Sequence, residues 1–163
     1  MTADNERRFP LAPGSVIGAT LAGFFDGVVL HQILQWHHMI CIEAHCVVKT
    51  IETMKQQTFY DGLFHLVMWI LMLIGLGMLT AQLRSRIFES RRFWGSVLFG
   101  AGVFNVIEGI IDHHILQIHH VRFGPNQPTW DISFLVLGAI LAMIGWSLAK
   151  RADGPHAMKG LMR

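Results

Sequence analysis

Charge is what this chain has least of. Its 13 Lys and Arg and 11 Asp and Glu make up only 15% of 163 residues, for a net charge of +2. Soluble domains carry roughly a quarter, and a balance so near neutral offers nucleic acid no basic footprint. Three familiar metal signatures are also missing. There is no HExxH zinc motif, no ExxH pair of the soluble di-iron bundles and no HxxHH box of the membrane desaturases. The first apolar run lacks a small-residue cleavage site and is too long for a signal peptide, so it is expected to insert and remain as an anchor. The stretch from about 39 to 59 contains neither Gly nor Pro. The first helix is therefore expected to run past the membrane surface or to break into a second, amphipathic one. Cysteine is confined to Cys41 and Cys46 in that stretch. Five apart on one helix they are poorly placed for a disulfide, although an oxidising compartment would favour one, and their pairing stays open.

What the chain does have is apolar length. It is 52% hydrophobic with a mean hydropathy of +0.43. Four runs (14–37, 60–83, 94–118 and 130–149) each approach or exceed the ~20 residues a helix needs to cross the hydrocarbon core. So few charges lie between them that the expected architecture is an all-α, four-helix transmembrane bundle in contact with lipid. Arg7, Arg8, Arg84, Arg86, Arg91, Arg92, Lys150 and Arg151 cluster on one side of these spans, against Lys49, Lys55 and Arg122 on the other. The positive-inside rule then puts both termini in the cytoplasm. Residues 1–13 read as a cytoplasmic arm, 14–83 and 94–149 as two repeated hairpins, and 150–163 as a cytoplasmic tail.

The repetition is explicit. DGVVLHQILQWHH, Asp26 to His38, returns 82 residues later as EGIIDHHILQIHH, Glu108 to His120. Gly27/Gly109, His31/His113, Gln35/Gln117, His37/His119 and His38/His120 match in register. Titratable residues are costly inside apolar segments, so a chain that carries the same set twice is expected to use it. On a continuous helix His31, Gln35 and His38 share one face, as do His113, Gln117 and His120. Asp26 with His37, and Glu108 with Asp112 and His119, form a second stripe. Span two adds Asp61, His65, Met68 and Met72 on one face; Asp131 opens span four, where Gly138, Ala142 and Gly145 continue its face as packing surface. Asp61 and Asp131 also suit N-cap or first-turn positions, Met68 and Met72 suit core filling, and histidines at helix ends can simply be hydrated at the interface.

Imidazoles and carboxylates projecting into a bundle suit a mid-series transition metal. The expected site lies near the outer leaflet and holds iron, copper or zinc. His31, His113, His38 and His120 are candidate ligands; Glu108, Asp112, Asp26, Asp61, His65, His37 and His119 complete or support them. Gln35 and Gln117 suit hydrogen bonds that orient the imidazoles. A redox-active metal would make the protein an oxidoreductase acting on a quinol or lipid, whereas copper would equally suit handling or oxidase assembly. The alternatives are a b-type haem between His31 and His113, and a small ion or proton-coupled transporter, which with four spans would need to form a homodimer.

GFFDGVVLHQILQWHHM and FNVIEGIIDHHILQIHHVR, with YDGLFH between them, closely resemble an uncharacterised bacterial family of integral membrane proteins, domain of unknown function 2243. The resemblance runs from about Gly14 to Lys150. It implies a four-span protein of the bacterial inner membrane and supplies no activity, so function rests on the residues.

Overall fold

The computed structural model describes residues 8–41 and 48–151. The start of the expected arm, Cys46 and the tail from Ala152 lie outside the described residues. Four helices, α1 (Ala12–Ile33), α2 (Ile51–Leu83), α3 (Ser90–Ile115) and α4 (Gln127–Lys150), are each long and apolar enough to cross a membrane. The described residues include no strand. Pro13 and Pro128 sit in the first turns of α1 and α4, where a missing N–H costs nothing. α2 begins at Ile51, well before the apolar run, because Thr50 and Thr53 form a reciprocal cap.

α1 and α3 pack against each other, α2 packs on α1, and α4 packs on α3. The central pair meets backbone to backbone: a Cβ built on Gly18 would strike the Val97 carbonyl, and one on Gly100 the Ser15 carbonyl. Small residues allow such close approach where lipid supplies no hydrophobic drive between helices. α2 and α4 leave Leu66, Trp69, Leu73, Ile140, Met143 and Ile144 exposed, as helices facing lipid must.

At the end rich in arginine, Phe9 is fully buried against Phe88 and Phe93. Its N–H donates to Glu89 (2.9 Å), and Arg92 donates to the carbonyls of Phe9 and Ala149. Residues 9–11 of the expected arm are therefore tied to the bundle.

The other end departs from the sequence expectation. Over Asp26–Ile33 and Gly109–Ile115 the helices widen into π-helical turns. Both then stop at a left-handed glutamine, Gln35 (φ 52°) and Gln117 (φ 50°). Non-glycine residues in that region cost on the order of 1–3 kcal/mol, and such strain gathers at functional sites, as π-turns do. α1 and α3 thus end at Ile33 and Ile115 rather than at 37 and 118, and neither crosses the interface as a longer helix. His37, His38, His119 and His120 lie on the turns that follow.

Candidate metal centre

Each turn folds back onto a buried aspartate of an outer helix. Asp61 of α2 accepts from His31 Nδ1 (3.1 Å), His38 Nδ1 (2.8 Å) and the Met39 N–H (2.8 Å). Asp131 of α4 accepts from His120 Nδ1 (2.8 Å) and the Val121 N–H (3.0 Å), with His113 Nδ1 at 3.5 Å. Neither aspartate caps its own helix: Asp61 lies three turns into α2, and α4 has no side-chain cap. They cap the returning chain instead.

The turns then cross. His37 Nδ1 donates to the Val121 carbonyl (2.9 Å), and His119 Nδ1 to the Met39 carbonyl (3.2 Å). The Cys41 N–H donates to the Ile118 carbonyl (2.6 Å), and Cys41 is disulfide-bonded. A carbonyl only accepts, so Nδ1 of His37 and of His119 must carry the proton. In the neutral ring this leaves Nε2 as a bare lone pair. Burial lowers the His37 pKa to about 3 and the His119 pKa to about 4, despite the nearby Asp26 carboxylate. Both rings are neutral at pH 7.

The bare nitrogens face carboxylates. Asp26, His31 and His37 form one buried group and Glu108, His113 and His119 another; in each, one ligand atom per residue lies within 4.8 Å of the others. His31 Nε2 is 2.9 Å from Asp26 Oδ2, but out of hydrogen-bond alignment. His37 Nε2 is 3.7 Å from Asp26 Oδ1, and His119 Nε2 is 3.7 Å from Glu108 Oε1. The imidazoles link the groups, with ring centres 4.4 Å apart for His31–His37, 4.8 Å for His37–His119 and 4.9 Å for His113–His119. Asp26 Oδ2, Glu108 Oε2 and Nε2 of His31, His37 and His119 are all buried without a hydrogen-bond partner.

Each unsatisfied buried group costs about 1–3 kcal/mol, and lone pairs aimed at carboxylates repel. A cation among them removes both penalties. Metal–ligand bonds of about 2.0–2.2 Å put two ligands of one ion roughly 3–4 Å apart, and the His37–Asp26 and His119–Glu108 pairs, at 3.7 Å, fall in that range. Nδ1 bonds to carbonyls or carboxylates, leaving Nε2 free, are the usual outer support of ligating histidines.

The remaining predicted residues fall elsewhere. His38 and His120 bind Asp61 and Asp131, outside the inner groups. Asp112 is partly buried and belongs to neither group. His65 stacks on Phe24, 6.0 Å between ring centres, with a buried, unpartnered Nε2. Gln35 and Gln117 are exposed and end helices, so they do not orient the imidazoles. Met68 packs against Gly23, and Met72 joins the core of Phe9, Ile17, Phe93 and Val97. The carbonyls of Met39 and Val121 have no side-chain signature, and sequence reasoning missed them.

Four apolar spanning helices around a buried imidazole–carboxylate cluster define an integral membrane protein. The chain belongs to the family described as "Predicted membrane protein (DUF2243)", which matches residues 13–152. No curated protein and no solved structure matches it.

Proposed function

We propose that this is a membrane metal-binding protein in which Asp26, His31, His37, Glu108, His113 and His119 hold one or two ions of iron, copper or zinc. The observation that carries this reading is the convergence of buried imidazoles and carboxylates in two groups, with the Nε2 lone pairs of His37 and His119 turned inward by carbonyl bonds and left without a hydrogen-bond partner. A mixed nitrogen and oxygen donor set suits these metals. Asp61, Asp131, His38 and His120 act behind the ligands and hold the turns in place. The arginine clusters at the opposite end support a bacterial inner-membrane orientation with cytoplasmic termini and a site near the outer leaflet. A redox-active ion would make the protein an oxidoreductase for a membrane substrate, and copper would equally fit a handling role.

The geometry gives less support to haem. A porphyrin between His31 and His113 would have to displace His37 and His119, whose rings link that pair. The test is purification in mild detergent without chelator, followed by elemental analysis and a visible spectrum. One or two equivalents of metal without a Soret band is the expected result. A Soret band would replace this reading with a cytochrome, and absence of both metal and haem would leave transport or a structural role.

A further inference from the structure

A groove of about 530 Å³ runs along α1, α3 and α4 beside the cluster, within the roughly 300–1,000 Å³ of small-molecule sites. Its lining follows α1 from Gly18 to Leu30, about 18 Å of helix rise. The mean section is therefore about 30 Å², enough for one extended hydrocarbon chain. Val97, Leu137 and Leu141 are among its apolar lining. Asp26 lies partway along it, with Asn105 among the few other polar side chains.

The outer end is marked by two indoles. Trp36 and Trp130 lie 5.2 Å apart between ring centres, and the Arg122 guanidinium sits 5.2 and 5.8 Å from those centres. Arg122 is exposed and has no hydrogen bond or ion pair with any described residue. The two rings hold the guanidinium at the end of the groove, and its N–H groups, which have no partner among the described residues, suit a carboxylate.

We infer that the groove binds a single-chain anionic amphiphile of the fatty-acid class, with its carboxylate on Arg122 and its chain running past Asp26. The inference names the class of substrate for the proposed metal centre. It rests on that reading only for the role of the ligand, because Arg122 and the groove lining other than Asp26 take no part in the proposed metal centre.

The test is native mass spectrometry of the detergent-solubilised protein titrated with oleate, oleyl alcohol and phosphatidylglycerol, with metal content measured on the same samples. One saturable oleate per chain is expected. Filling the groove from either wall, by Ala22→Phe on α1 or Ala101→Phe on α3, should weaken it at least about tenfold. Arg122→Gln should weaken oleate roughly tenfold, the value of one charged hydrogen bond, and leave oleyl alcohol unchanged. Non-saturating oleate binding that is equal in wild type and both groove variants would overturn the inference. So would equal losses of oleate and alcohol in Arg122→Gln, or stronger binding of phosphatidylglycerol than of oleate. Oleate binding in protein that holds no metal would defeat the metal reading alone; metal without saturable oleate would defeat this one alone.

Discussion

The two histidine-bearing stretches share their chemistry but not their support. In both, a helix widens, stops at a left-handed glutamine and returns to an aspartate of the neighbouring helix. Behind them the packing differs. α2 meets α1 through side chains, with Met68 against Gly23 and the His65 ring against Gly27. α4 meets α3 through backbone: Gly138 and Ala142 lie against Gly102, and Ala149 against Gly95. Leu135 takes the place of His65, packing against Gly109. The surroundings of the candidate ligands differ too, with Asp26 opposite Glu108 and Leu30 opposite Asp112. His31 makes a full bond to Asp61 at 3.1 Å, while His113 stands 3.5 Å from Asp131. The imidazoles correspond in the two stretches while the walls around them differ, so under the proposed metal reading the two halves should bind metal unequally.

The largest effects should separate inner from outer histidines. His37→Ala and His119→Ala each remove a bare Nε2 and one of the crossing bonds. Each should cost at least about 100-fold in metal affinity, since loss of an outer-shell partner alone costs about 10–100-fold. His38→Ala and His120→Ala remove only outer contacts and should stay within that smaller range. Metal titrations of the four variants measure this directly. A His38→Ala loss as large as that of His37→Ala would return His38 to the ligand set. The aspartates sharpen the comparison of the two halves. Asp61→Asn disturbs three donors, including the close one on His31, and should fall near the top of the 10–100-fold range. Asp131→Asn should fall near the bottom of it. The reverse order would make the second half the tighter site.

These distinctions were only partly legible in the sequence. The apolar runs located all four helices, and the duplicated acids and imidazoles include the residues that the fold gathers into two buried groups. A helical wheel carried past the true helix ends pairs His31 with His38 and His113 with His120, whereas its second stripe, Asp26 with His37 and Glu108 with His119, is the one the fold brings together. Gln35 and Gln117 adopt a conformation usually left to glycine, so nothing in the residue type marked the stop. With π-turns before it and a reversal after it, His37 and His119 came inward, while His38 and His120 swung to the outer aspartates. The extension of α2 back to Ile51 was hidden for a milder reason: Thr50 and Thr53 cap it without the usual acidic partner.

Acidification should reveal the burial of the crossing pair. The pKa values of His37 and His119 in the folded protein, about 3 and about 4, lie below the ordinary 6.5. Between these values the unfolded chain takes up protons that the folded chain refuses, so stability rises with pH. The contribution is complete above pH 6.5 and is lost as pH falls through the folded values. Metal-free protein unfolded by SDS should therefore weaken steadily from about pH 6.5 towards pH 4, and His37→Gln/His119→Gln should flatten the slope. Stability unchanged over that range in the wild type would contradict the buried, neutral state of these rings.

The smallest expected effect tests the packing difference itself. A methyl added at Gly102 would overlap the Ala142 backbone nitrogen and come within 2.5 Å of the Gly138 carbonyl oxygen. Backbone cannot swing aside, so α3 and α4 must separate, and Gly102→Ala should cost about 1–3 kcal/mol. At Gly23 the obstacles are side chains, chiefly the Met68 thioether, which can change rotamer, with the Phe104 ring edge beside it. There the gain in helix propensity, on the order of 1 kcal/mol, should offset most of the strain, leaving Gly23→Ala close to wild type. Unfolding of both variants in detergent measures the contrast. Equal losses would mean that the side-chain seam between α1 and α2 is as unyielding as the glycine seam between α3 and α4. Unequal support could then no longer account for unequal metal binding, which would have to come from Asp26, Glu108, Leu30 and Asp112 themselves.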